Sequence, residues 1–217
     1  MRVIPREVRD SAFVRDTTDA YALGLWCADS YWWSSSIGLS NVEPELVIRF
    51  GRYLGSILSP ERLRVRVYQV EGQLPDERVL DLAPSRISIR PSFKMKRTAY
   101  HVYVNSRPLV RSFFDARRSV ADLPDPMIGP YFAGRFDGDG AFGTKRVPGI
   151  RIAYTTHEEA AVDQHLLSRI GVEKTSLFHY ARVNEWCVYI KKPDVTTFED
   201  SIGRHSWKAS CREPCRD

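Results

Sequence analysis

Tyr21-Ala-Leu-Gly-Leu-Trp-Cys-Ala-Asp29-Ser30 and Tyr131-Phe-Ala-Gly-Arg-Phe-Asp-Gly-Asp139-Gly140 are one pattern written twice. Tyr21, Gly24 and Asp29 match Tyr131, Gly134 and Asp139 at a constant offset of 110 residues. Each copy sets small residues one helical turn apart, Gly24 with Ala28 and Gly134 with Gly138. Two such helices can pack with their backbones close together. Each copy ends in an aspartate, and a carboxylate at a helix C-terminus faces the negative end of the macrodipole. Two such carboxylates brought together repel unless a cation bridges them. The pattern therefore predicts a divalent-metal site at Asp29 and Asp139. Hard carboxylate oxygens select Mg²⁺, with Ca²⁺ or Mn²⁺ able to substitute, over soft metals. Asp137 has Cys27 at the equivalent place in the first copy, so no shared chemical role is expected of it; it reads as helix-terminal or exposed.

The similarity continues beyond the pattern. After the first copy, 31–36 and 37–40 read as a short hairpin. A helix follows with Leu46, Phe50, Tyr53 or Leu54, and Ile57 at helical spacing. After the second copy, 141–146 and 149–155 read as a hairpin, followed by Ala161, Val162, His165, Leu166 and Ile170 on one helical face. Ser40-x-x-Glu43 and Thr156-x-x-Glu159 are capping-box patterns for these helices, and Gly55 and Gly171 are their expected ends. A second strand pair comes next. In the first half, Arg86, Ser88, Arg90, Ser92, Lys94 and Lys96 alternate with Ile87, Ile89, Pro91, Phe93 and Met95, the period of a strand with one wet face and one buried face. Pro91 argues for an edge position or a bulge. Arg64, Arg66 and Tyr68 alternate with Val65 and Val67 in the same way. In the second half, 175–182 and 185–191 form the matching pair. Third helices are expected near 106–117 and 193–202.

Each half thus reads α-β-β-α-β-β-α, with a first repeat over 1–118, a linker over 119–127 and a second repeat over 128–217. Residues 132–140, FAGRFDGDG, resemble the signature of the LAGLIDADG homing endonucleases, and 22–30, ALGLWCADS, resemble a degenerate copy that ends in Ser30. The element order is similar to the single-chain form of that family over almost the whole chain. The resemblance implies an α+β fold of two pseudo-symmetric repeats, each with a four-stranded antiparallel sheet, packed through the two motif helices into a DNA-binding saddle. It implies a monomeric, metal-dependent enzyme that cuts both strands of a long double-stranded DNA target, leaving short 3′ overhangs, with one aspartate serving each strand. It also implies a polar residue before the second helix, for which Asn41 or Ser40 and Thr156 or His157 qualify. A lysine after the third helix is a further family feature, matched by Lys208. The first repeat offers only Arg117 or Arg118 after a shorter connection, which puts symmetrical catalysis in question.

Sheets entering a major groove read bases with Arg, Gln, Asn and Lys and hold phosphates with Lys, Arg and Ser. Arg64, Arg66, Tyr68, Arg86, Arg90, Lys94 and Lys96 suit those roles in the first half. The second half offers Lys145, Arg146, Arg151, Tyr180 and Arg182. Unequal halves imply an asymmetric target.

Composition agrees with a nucleic-acid partner. The 217 residues carry a net charge of +5. The stretch 61–118 holds thirteen Lys or Arg against six Asp or Glu, so the positive charge is concentrated there. No apolar run reaches the ~18 residues of a membrane span, and the first residues lack a secretory core, so an intracellular protein with no membrane partner is expected. Four cysteines are too few for a disulfide framework, and Cys211 and Cys215 with His205 match no zinc spacing well. Cys27 and Cys187 read as buried thiols. The competing functional reading is a non-cleaving nucleic-acid binder on the same scaffold, either an intron RNA maturase or a transcriptional regulator. Retention of both acids favours the enzyme. An intein nuclease domain is a third reading, disfavoured because no splicing-type Cys or Ser opens the chain.

Overall fold

A computed structural model describes residues 14–33, 35–144 and 148–211. The chain runs α1 (Thr17–Asp29), β1 (Ser30–Trp33), β2 (Ser36–Asn41), α2 (Pro44–Ile57), β3 (Arg64–Gln69), α3 (Glu77–Leu80), β4 (Ile87–Pro91), β5 (Ala99–Asn105) and α4 (Arg107–Arg118). It continues with α5 (Asp125–Asp139), β6 (Gly140–Phe142), β7 (Ile150–Tyr154), α6 (His157–Arg169), β8 (Thr175–Tyr180), β9 (Glu185–Ile190), α7 (Val195–Ile202) and α8 (Trp207–Ser210). This is an α+β chain with two sheets, and packing divides it into two units. One takes in Asp29–Asp115; the other takes in Val14–Ala28 together with the chain from Ala116 onward. Helix α1 therefore packs as part of the second unit.

The first unit is built on a sheet of order β1-β2-β5-β3-β4. Its inner face carries Ile37, Leu39, Val65, Val67, Tyr100, Val102 and Val104, all buried. Against it lies the apolar stripe of α2, including Leu46, Val47, Phe50 and Leu54. Phe113 of α4 closes the core edge-to-face on Phe50 and Tyr53.

Three features differ from the sequence expectation. The sheet has five strands rather than four, because β5 is a strand and runs through the middle, antiparallel to both β2 and β3. Strand β4 is the edge strand and pairs parallel with β3. The parallel pairing follows from the crossover between them, which contains α3, capped by Asp76 and seated by the buried Val79. At this edge Ile89 is 51% exposed and Phe93 88% exposed, and Met95 is also exposed, so the helical layer does not cover these residues, although Ile89 shares the face of Val67. The strand ends at Pro91, so Lys94 and Lys96 lie beyond it. Finally, α2 starts at Pro44 and not after Ser40, which is still in β2. Gly55 lies inside α2, and the helix ends at Ile57.

The second unit has a four-stranded antiparallel sheet of order β6-β7-β9-β8. Here the cap forms as expected: the Thr156 hydroxyl accepts from the Glu159 amide. Gly171, with φ of +83°, follows α6 in the left-handed region that favours glycine. Phe132 and Phe136 of α5 both meet Phe198 of α7, which is fully buried. Helix α1 lies on α5 at the small residues. A Cβ on Gly24 would overlap the main-chain oxygen of Tyr131, and one on Gly134 would overlap that of Tyr21. The two backbones are in direct contact, so only glycine fits at either position.

Candidate catalytic and nucleic-acid-binding site

Each motif helix ends on its acid. Asp29 is the last residue of α1, and its Oδ2 accepts a 2.7 Å hydrogen bond from Asn41 Nδ2. Asn41 ends β2, and its Oδ1 accepts from the Glu43 amide at 2.7 Å, which fixes the amide orientation. Of the two candidates before α2, the structure sets Asn41 against the acid, while Ser40 points from the opposite face of β2.

Asp139 ends α5, and Lys208 serves that end of the helix. Its ammonium donates to the main-chain oxygens of Phe136, Gly138 and Gly140 at 3.2, 3.0 and 3.0 Å. Gly138 and Gly140 flank Asp139, so a positive charge sits on the terminal turn that presents the carboxylate. The other expected residues here have different partners. Thr156 caps α6, and the His157 ring packs edge-to-face on Trp186.

Asp137 is neither terminal nor exposed. It is fully buried, and accepts from Tyr21 Oη, Ser206 Oγ and the amides of Trp207 and Lys208 at 2.6–3.0 Å. One carboxylate thus pins α1, holds α5 and caps α8, the short helix that carries Lys208. In the first repeat Cys27 stands in this place and cannot do so. Cys27 itself is a protonated thiol, because burial pushes it up to about 12. It lines a cavity of about 150 Å³ with Tyr131, Arg135 and Asp163. Arg135 and Asp163 are a buried ion pair at 3.3 Å, and Tyr131 Oη donates to Asp163 at 3.0 Å. Burial raises Asp163 above the usual carboxylate range, and Arg135 opposes that rise.

The outward face of the first sheet follows from its register. Arg64 pairs with Tyr103, Arg66 with His101 and with Ser88, and Tyr68 with Arg90, so these residues share one face. The Arg66 guanidinium is held there by the hydroxyls of Tyr68 and Tyr103, at 3.3 and 3.5 Å. His101 lies stacked on Tyr103 and edge-on to Tyr31. Burial, reinforced by Arg66, pushes His101 down to about 3. The sequence gives no strand over β5, so His101 and Tyr103 were missed; their alternation with Val102 and Val104 was the available signal. Arg86, Lys94 and Lys96 are exposed on either side of β4 rather than in it.

In the second sheet, Arg151 and Ser176 pair with Tyr189 from the two neighbouring strands, and Phe178 and Tyr180 follow on the same face of β8. Arg182 is in the exposed β8–β9 turn. Lys145 and Arg146 lie outside the described residues.

Among the described residues no group of three or more His, Cys, Asp or Glu side chains could hold a metal by itself. Asp29 and Asp139 nevertheless offer hard oxygen donors. Mg²⁺ is commonly bound by one or two carboxylates, with the remaining positions filled by water and substrate phosphates. Taken singly, each acid is a donor of the kind such an ion accepts.

Acid-terminated paired helices followed by sheet-bearing repeats define the LAGLIDADG fold, and this chain has that fold. Solved structures bear this out. The homing endonuclease I-DmoI, in its mesophilic variants, superposes with a TM-score of 0.60 at 13% identity, covering 90% of this chain and 97% of that one. I-DmoI in complex with DNA and Mn gives a TM-score of 0.59 at 14% identity over 86% and 96%. The N-terminal LAGLIDADG domain of DUF199/WhiA gives 0.56 at 16% identity over 94% of each chain. No protein-family model and no curated protein sequence matches the chain.

Proposed function

We propose that this chain is a site-specific, divalent-metal-dependent DNA endonuclease that cuts both strands of an asymmetric duplex, Asp29 serving one strand and Asp139 the other. The observation that carries the reading is that both motif copies keep their terminal acid and each acid has a polar group arranged about it. Asn41 orients the Asp29 carboxylate, and Lys208 places a cation on the turn that presents Asp139. Structures of I-DmoI with its target DNA and Mn or Mg, and with DNA and Ca, support Mg²⁺, Mn²⁺ or Ca²⁺ as the class of ion.

When bound, such an ion supplies activation of water and charge stabilisation on the phosphodiester during in-line displacement. The residues of the chain do the rest. Asp29 and Asp139 would each offer carboxylate oxygen to such an ion, and Asn41 would orient the Asp29 carboxylate for that role. Lys208, its three N–H donors taken by main-chain carbonyls, lends positive charge to the turn that presents Asp139 beside the scissile phosphate of its strand. Arg64, Arg66, Arg90, Arg151 and the exposed Arg86, Lys94, Lys96 and Arg182 bind the duplex.

The test is a randomised duplex library incubated with the protein and Mg²⁺, followed by sequencing of the cut ends. Asp29→Asn and Asp139→Asn should each abolish double-strand cleavage while duplex binding survives, because each acid holds metal and contributes little to base reading. If either variant cut both strands at the wild-type rate, the assignment of the site would be wrong. Selective binding without any cleavage by the wild-type protein would instead identify a non-cleaving binder on the same scaffold.

A further inference from the structure

We infer that the second sheet reads its share of the DNA through an aromatic face that selects thymine, with Phe178 and Tyr189 as specificity-determining residues beside Tyr180. This deepens the proposed function and rests on it. The register sets Ser176, Phe178 and Tyr180 of β8 on one face with Tyr189 of β9 and Arg151 of β7. Phe178 is 51% exposed and Tyr180 43% exposed, so two rings stand in solvent on a sheet surface. They are not loose. Phe178 meets Tyr189 edge-to-face at 5.4 Å and 90°, and the hydroxyls of Tyr180 and Tyr189 hydrogen-bond to each other at 2.6 Å. That bond occupies one phenolic hydrogen and restrains both rings, so little side-chain entropy remains to be lost on binding.

The chemistry of this face differs from that of the first sheet. There, Arg64, Arg66 and Arg90 present guanidinium groups suited to the O6 and N7 acceptors of guanine. Here Arg151 is the single cation among those residues, and Glu185, opposite Tyr180 on the same face at the strand end, is an acid suited to accept from the cytosine amino group. In the major groove, thymine alone offers an apolar group, the C5 methyl. A phenyl ring laid against guanine or adenine instead desolvates acceptors without replacing their hydrogen bonds, which is unfavourable. An ordered aromatic face therefore fits a thymine-rich stretch and disfavours a guanine-rich one. The arginine face of the first sheet makes the opposite demand.

The experiment selects duplexes from a randomised library on the full chain without divalent metal, then resynthesises a selected duplex with deoxyuridine replacing thymidine in one half at a time. This exchange deletes only the C5 methyl. One half of the selected duplex should be thymine-rich, and deoxyuridine there should weaken binding by about fourfold per methyl in contact, the worth of one buried carbon. Deoxyuridine in the other half should leave affinity unchanged. Phe178→Ala should lose that sensitivity and the thymine preference, whereas Phe178→Leu, which stays apolar, should keep part of both; thermal melts of each variant report folding. Selected duplexes with no thymine-rich half, no response to deoxyuridine, or a folded Phe178→Ala with wild-type sensitivity would each overturn the inference while leaving the DNA reading in place. Failure to select any duplex would overturn the DNA reading and this inference with it.

Discussion

Asp137 and Asp139 stand two residues apart on α5 with opposite surroundings. Asp137 is sealed against Tyr21, Ser206 and two amides of α8, while Asp139 is half-buried at the helix end. Removing the Asp137 carboxylate leaves four donors to find new partners, each costing about 1–3 kcal/mol if it stays buried and unpaired. Asp137→Ala should therefore lower unfolding stability by several kcal/mol and release Lys208, whereas Asp139→Asn should change stability little; urea unfolding of both variants checks this. Equal stability of Asp137→Ala and wild type would mean that the anchor is not stabilising. His101 carries a second prediction. Unfolded, it protonates near 6.5; folded, burial and Arg66 hold that off until about 3. Between those values the unfolded state binds the extra proton, so this group erodes stability as pH falls, by about 1.4 kcal/mol per unit. His101→Phe keeps the ring without the base and should flatten the slope between about pH 4 and about pH 7. A slope unchanged in the variant would place the titration elsewhere. At this scale the two helix-terminal acids were legible because repetition marks them. The role of Asp137 was not, because its partners lie far off in the chain, Tyr21 more than a hundred residues before it and Ser206, Trp207 and Lys208 some seventy after.

Strands β4 and β5 show what alternation can and cannot report. Period two says that a segment is extended and that its side chains alternate; it does not say which face is covered, or whether either is. The run 86–96 alternates cleanly and ends up at the sheet edge, where Ile89 is half exposed. Segment 99–105 alternates less legibly because both faces are largely covered, which is what a central strand requires. The parallel pairing of β4 was hidden in the crossover, where α3 is only four residues long. The motif helices were legible for a different reason: close backbone contact demands glycine at Gly24 and Gly134 and leaves no other choice. These placements make a contrast that a single strand pair can test. Val67 and Ile89 are register partners on the same face of the sheet, one fully buried and one half exposed. Val67→Asp should unfold the protein or cost it several kcal/mol by burying an unpaired charge, while Ile89→Asp should stay within about 1 kcal/mol of wild type. Thermal melts of both variants decide it, and a collapse of Ile89→Asp comparable to that of Val67→Asp would restore a buried face to β4.

Across the whole chain, the concentrated positive charge of 61–118 falls within the first unit and its exit helix α4, and the second unit brings an aromatic face with fewer cations. The two units therefore ought to contribute to binding in different currencies: counterion release from the first, apolar contact from the second. Counterion release has a signature, a fall of log affinity with log salt whose slope counts neutralised phosphates at about 0.9 per contact. Binding to a selected duplex should weaken steeply between roughly 50 and roughly 200 mM salt. Removing a cation that meets phosphate should flatten the slope by about one and weaken all sequences alike, which is the expectation for Lys94→Ala and Lys96→Ala beyond the end of β4. Arg66→Ala should act otherwise. Its guanidinium is held in place by Tyr68 and Tyr103 on the sheet face, so its loss should relax base preference at one or two positions, at about 1–3 kcal/mol. Because one chain carries both motif copies, the complex should sediment as one protein per duplex. Affinity indifferent to salt would remove the electrostatic account of the first unit, and an obligate two-chain complex on one target would remove the single-chain account of the site.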